Sequence, residues 1–161
     1  MASPSTGDYF DRARAIAASV LFAAGAAAVI GSFLDWLTVE ATPPRVPAEQ
    51  SHRLPPFSGL ELGDGWFVLA AGVVMLIGAF FIVVRGTSGY AWLTFFAAVV
   101  IGGIAISDFR GIAEVHLDME GIGTDPTPGL GLTLVAAAGI IGLIGAVGAI
   151  AATPSRPRGG D

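Results

Sequence analysis

The residues best suited to chemistry are Glu114, His116, Asp118 and Glu120, which alternate with Val115, Leu117 and Met119 in "AEVHLDME". On a strand, residues two apart project to one face. An imidazole and three carboxylates could then converge on a divalent cation, with His52 joining from another loop. The same alternation describes a solvated strand face. Neither a zinc spacing nor a calcium-loop motif accompanies it, so no metal is assigned. Asp35, Asp108 and Arg110 form a second group, at the ends of apolar runs. Carboxylates at helix C-termini oppose the dipole and want a cation, so Arg110 is expected to bridge the two acids structurally. Ser107-Asp108 with His116 offers nucleophile chemistry only in composition, because no Gly-x-Ser-x-Gly motif is present. "GIIGLIGAVG" is a packing pattern and not a phosphate-binding loop. No catalytic residue and no cofactor follow from these motifs.

The elements that must position these residues are set by composition. The chain has 161 residues, 53% hydrophobic and 13% charged. Soluble domains carry about 25% charged residues to wet their surface. A deficit this large, with charges clustered between long blanks, marks a membrane protein. No cysteine is present, which excludes disulfides and thiolate metal sites. All eight basic residues are arginine, and the net charge of −5 argues against nucleic acid as a partner. Abundant Ala, Gly and Arg without Lys suggests a high-GC coding sequence.

Four blanks are long enough to cross a ~30 Å apolar core as helices, at about 15–34, 66–84, 91–107 and 130–152. Lipid offers backbone groups no partners, so each must be helical. Arg12 and Arg14 before the first run also fit a signal peptide, but the run exceeds the roughly 7–15 residues of a signal core and reads as a retained span. Tails 1–14 and 153–161 and the turn near 85–90 hold five arginines, against three in loops 35–65 and 108–129. Those loops hold ten of the thirteen acids. The arginine bias places both termini in the cytoplasm of a multi-pass cell-membrane protein and both loops outside.

"GLELGDGW" precedes the second span. Gly63 and Gly65 permit a sharp turn. Asp64 is expected to cap the first helical turn, and Trp66 to sit at the membrane interface. Small residues spaced four and three apart (Ala138, Gly142, Gly145, Ala149, Ala152) form a seam for close helix approach. Ala98, Gly102 and Ala105 repeat it in the third span, and Ala24, Ala28 and Gly31 in the first. No span has a charged interior, which argues against a proton relay or ion pathway.

The expected fold is therefore an all-α membrane protein, a four-transmembrane-helix bundle with a small extracytoplasmic antiparallel β-sheet from loops 1 and 2. Strands are expected at Trp36–Ala41, Phe57–Leu62 and Ala113–Glu120. Five prolines in "TPPRVPAEQSHRLPP" forbid regular structure there. Four spans with a strand-bearing first loop resemble the claudin-like tetraspan architecture. That family pairs a Trp-Gly-Leu-Trp motif with two cysteines; here Trp36 and "SGLEL" stand without cysteine, and the resemblance implies topology alone. "GSFLDW…SGLELGDGW" is similar to small four-span membrane proteins of actinobacteria with an "FLPW…GLEGGDG"-type pattern, a resemblance that implies no activity. The expected function is non-catalytic: an accessory subunit, assembly factor or scaffold in the bilayer, partnered by other membrane proteins or by itself. The alternative is an extracytoplasmic sensor whose acidic sheet recognises a cation, an envelope component or a partner protein.

Overall fold

The computed structural model describes residues 6–41, 52, 53, 56–86, 88–119 and 124–152. Both tails beyond Thr6 and Ala152, most of the proline-rich segment and Glu120 lie outside them. The elements are α1 (Thr6–Phe33), β1 (Asp35–Ala41), β2 (His52–Arg53), β3 (Phe57–Ser58), α2 (Gly59–Leu62), α3 (Gly65–Arg85), α4 (Ser88–Met119), β4 (Thr124–Pro128) and α5 (Leu130–Ala151).

The four long helices each carry a stretch apolar enough to cross a bilayer: Gly7–Phe33, Gly65–Arg85, Ser88–Glu114 and Leu130–Ala151. They form an up-down-up-down bundle in which α1 packs on α3 and α5, and α4 on the same two. One end of the bundle carries the sheet and α2. The other carries the α3–α4 turn, where Gly86 adopts φ 61 and its N–H bonds to Ile82 O at 3.1 Å.

Burial is inverted relative to a soluble bundle. The buried positions are mostly alanine and glycine, such as Ala24, Ala28, Ala98, Ala105, Ala138 and Ala149. The exposed positions are large and apolar: Phe22, Ile30, Ile77, Phe80, Phe96, Ile140 and Ile144. In water such a surface would aggregate. In lipid it is the expected solution, because hydrocarbon solvates large side chains and helices gain by close backbone approach. Exposed Phe33, Trp66 and Phe67 mark the sheet end, and Tyr9, Phe10 and Trp92 the turn end. These are two aromatic belts.

Glycines set the helix spacing. A Cβ on Gly25 would lie 3.0 Å from Gly72 O, and one on Gly72 would lie 3.1 Å from Gly25 O, so α1 and α3 touch backbone to backbone. Gly31 and Gly131 do the same for α1 and α5. Gly139 lies against the Gly102 backbone, joining α5 to α4. Gly142 and Gly145 are both buried; a Cβ on Gly142 would lie 2.9 Å from Met75 Cε and 3.2 Å from Ala98 Cβ. Met75 Cε ends a flexible side chain and can yield, but a branched side chain at 142 cannot be housed. Gly142→Leu is expected to lower the thermal unfolding midpoint in detergent markedly, at about 1–3 kcal/mol of overpacking or more. Gly142→Ala should cost much less.

The two hydroxyls buried among the described residues, Ser32 and Thr94, bond their own helix, to Ala28 O at 2.9 Å and Ala91 O at 2.9 Å. Neither leaves an unmet polar group inside the bundle.

The sheet is organised around β1. β4 pairs antiparallel along one edge, while β3 and β2 pair antiparallel along the other, at opposite ends of β1. Two expected strands need correction. Ala113–Met119 is not a strand but the final turns of α4. Extending an existing helix needs no new nucleus, and Ala113, Glu114, Leu117 and Met119 are good helix formers. Of the expected strand Phe57–Leu62, only Phe57–Ser58 is extended; Gly59–Leu62 forms a helical turn. There Glu61 Oε2 accepts from Ser58 N at 2.8 Å and from Ser58 Oγ at 3.0 Å.

The strand that loop 2 does supply is "TDPTP", β4. Gly129 N donates to Trp36 O at 2.8 Å. Alternation then directs the Thr127 N–H toward β1, and the nitrogens of Pro126 and Pro128 toward the outer edge, where proline forfeits nothing. The missing donors also blunt that edge against further pairing. Thr38 and Thr127 tie the two strands with a hydroxyl pair at 2.7 Å.

Candidate functional site

The sheet end concentrates the polar and glycine-rich motifs of the sequence, and Trp36 is its centre. The side chain is 1% exposed and is the largest fully buried one. Its indole N–H donates to Gly31 O, at the end of α1, at 2.8 Å. Glycines close around it. A Cβ on Gly59 would run into the indole ring, and one on Gly131 would sit 2.8 Å from Trp36 Cδ1. A Cβ on Gly129 would meet the Asp35 carbonyl, and one on Gly65 would meet the Gly59 backbone. The glycines of "SGLELGDGW" and "PGLGL" thus gather α2, α3, β4 and α5 against one tryptophan that begins the sheet. The sequence signal for this packing is the Gly-x-Gly before each of two spans, Gly63–Gly65 and Gly129–Gly131.

Asp64 directly precedes α3 but does not cap it as expected. Its backbone is helical (φ −72, ψ −23) and its side chain makes no capping hydrogen bond. Its carbonyl instead accepts from Phe67 N at 3.1 Å and Val68 N at 3.3 Å. A side chain caps from an extended backbone, which Asp64 lacks. The carboxyl lies against that of Asp108 on α4. Among the described residues, Asp108 Oδ2 is buried without a hydrogen-bond partner. Trp66 is exposed, one residue into α3.

The expected bridge from Arg110 to Asp35 and Asp108 is absent among the described residues; an ion pair does join Arg14 to Asp11 at 3.0 Å. Asp108 is half-buried and turned toward α3, whereas Arg110 is exposed. Two residues along a helix is about 200° of rotation, so Arg110 cannot share the face of Asp108. Asp35 is also exposed, in the first residue of β1.

Two like charges in contact repel. Asp64→Asn removes one of them and is expected to raise the unfolding midpoint slightly at pH 8. The gain should shrink in acid, where protonation has already removed charge. The effect is kept small by the exposure of Asp64. Glu61 shows the opposite environment. The Ser58 backbone N–H and hydroxyl hold its carboxyl below the ordinary carboxylate range. Its contribution to the turn is present above that range and is lost as pH falls through the lowered value.

The proposed gathering of Glu114, His116, Asp118 and Glu120 on one strand face does not occur, since residues 113–119 are helical. A spacing of two collects residues on a strand, not on a helix. Glu114 is exposed; the side chains of His116 and Asp118, and all of Glu120, lie outside the described residues. Among the described residues no group of three or more His, Cys, Asp or Glu is placed to hold a metal.

Two grooves indent the sides of the bundle. One, of about 250 Å³, is apolar and lies between α1 and α3, with Ala18, Ser19 and Ala79 as its floor and Phe22 and Phe80 beside it. The other, of about 420 Å³, runs along α4 past Gly103, Ser107, Arg110 and Glu114. At the turn end, the Arg14 guanidinium rests on Gly86 at the C-terminus of α3, where a cation suits the helix dipole. Arg85 lies 5.2 Å from the Phe81 ring centre, and Phe81 stacks on Tyr90 at 4.9 Å, clipping α3 to α4.

A four-helix, multi-pass integral membrane protein with an antiparallel sheet on one end is what these elements define. No family model matches the chain, and no curated protein matches it.

Proposed function

We propose that the protein is a non-catalytic accessory subunit, assembly factor or scaffold of a membrane complex. The observation that carries this reading is the contrast between the interior and the long helix. The interior is apolar, mostly alanine and glycine with a few larger side chains, and its two buried hydroxyls among the described residues bond their own helix. α4, the longest helix at 32 residues, keeps a polar and glycine-lined face uncovered. A chain built for catalysis or transport places its polar groups in a central cavity; a chain built to associate keeps them on an outer face.

The arginine bias supports an orientation with the sheet outside and the termini in the cytoplasm. The "GSFLDW…SGLELGDGW" pattern supports kinship with small actinobacterial four-span proteins. Affinity purification of the full chain in mild detergent tests the role. A stoichiometric membrane-protein partner, or a defined self-assembly, is expected; a bare monomer would refute it. Reporter fusions at residue 45 and at the C-terminus test the orientation, and signals from the same side of the membrane would refute that.

A further inference from the structure

We infer that the turn from β3 through α2 is itself a membrane contact: Phe57 and Leu62 sit in the headgroup layer of the adjoining leaflet and hold the sheet down against the bilayer. The inference extends the lipid-facing surface of the bundle and does not depend on the accessory role proposed above. The level of the turn is fixed at both ends. Gly59 N donates to Leu34 O, just past α1, at 3.3 Å, and β3 pairs Ser58 with Asp35 and Phe57 with Leu37. After Leu62, only Gly63 and Asp64 precede α3. A Cβ on Gly65 would meet the Gly59 backbone, so α2 is folded tight against the start of α3. Its four residues rise about 6 Å at most. The headgroup layer is about 5–8 Å deep on each side of the apolar core. A turn pinned to the end of α1 and the start of α3 therefore stays within that layer.

Its exposed side chains continue a surface that already faces lipid. Phe33 ends α1, and Trp66 and Phe67 begin the next span; all three are exposed. α2 packs on both of these helices, and Phe57 and Leu62, on the segment that joins them at this level, are exposed as well. Aromatic and leucine side chains at this depth bury into the boundary between headgroups and acyl chains, whereas in water so many neighbouring apolar groups would be a liability. The acid within the turn is fitted to the same place. The Glu61 carboxylate folds back to accept from Ser58 N at 2.8 Å and Ser58 Oγ at 3.0 Å. A charge that carries its own donors costs less in a partly dehydrated layer.

The absence of cysteine in the chain makes the test clean. Phe57→Cys and Leu62→Cys, each in the full chain, are labelled with a nitroxide and reconstituted in phosphatidylcholine vesicles. The readout is the label's accessibility to oxygen, which concentrates in lipid, relative to a water-soluble nickel chelate. Ile77→Cys, exposed along α3, supplies the lipid reference. Glu114→Cys supplies the water reference: Glu114 is exposed and lies about 9 Å further along α4 than Asp108, which is beside Asp64. Circular dichroism confirms that each labelled protein keeps its helices. The oxygen-to-nickel ratio at 57 and at 62 is expected to be several-fold above that at 114. A ratio at either site that matches 114 would overturn the inference, because the turn would then stand in water. Labels at 57 and 62 shielded from both reagents would overturn it as well, since protein and not lipid would cover the turn.

Discussion

Trp36→Ala is expected to lower stability by about 3–5 kcal/mol, the range for removing a fully buried tryptophan. α1, α2, α3 and α5 all touch this side chain or the glycines against it, so local relaxation cannot refill the space. Gly59, Gly129 and Gly131 have no side chains to move inward. The indole hydrogen bond to Gly31 O adds about 1 kcal/mol. Trp36→Phe separates the two terms. It keeps most of the volume and loses the bond, and should cost well under half as much. Thermal unfolding in detergent, followed by circular dichroism, reads the series. A Trp36→Ala protein melting within a degree or two of wild type would show that the cap is not built on this residue.

The second large effect belongs to Gly131. Alanine is ordinarily the better helix former by about 1 kcal/mol, so Gly131→Ala should stabilise α5 if propensity decided. Packing decides instead. The added Cβ would lie 2.7 Å from Gly31 O, 2.8 Å from Leu34 O and 2.8 Å from Trp36 Cδ1. Two of the three are backbone atoms, so α1 and α5 must part. Overpacking of this kind costs about 1–3 kcal/mol, which outweighs propensity, and Gly131→Val should be worse. Gly102→Ala is the control. Its Cβ would meet nothing within 4 Å, so propensity acts unopposed and the variant should be as stable as wild type or more so. Should both alanines shift stability in the same direction, the close-approach argument fails.

The two glycines differ in a way no local pattern reveals. Both sit inside apolar runs with glycine neighbours, and Gly102 was placed in a packing seam by its spacing from Ala98 and Ala105. Those alanines are buried, and Gly102 lies against Gly139, but its own missing Cβ points into open space. Spacing identifies the face; the rotation of the helix on its neighbour identifies which atom is crowded.

By itself the sequence determined the four spans and much of their packing. Hydrocarbon leaves a backbone no partner but its own helix, so about twenty apolar residues suffice to specify one. The small-residue seam from Ala138 to Ala152 followed from the 3.6-residue period, and all its members are buried. β1 was legible because "WLTVEA" alternates up to the prolines that follow it. Tertiary structure decided the rest of the sheet end. "AEVHLDM" alternates as a strand would, yet it continues a helix already formed. "TDPTP" reads as a turn, yet β1 offers it an edge where its prolines need no donors. Asp108 could have met Arg110 by sequence distance, but helical rotation gives it to Asp64. Short polar segments satisfy several local rules at once, and only the neighbour that the fold brings to each one selects among them.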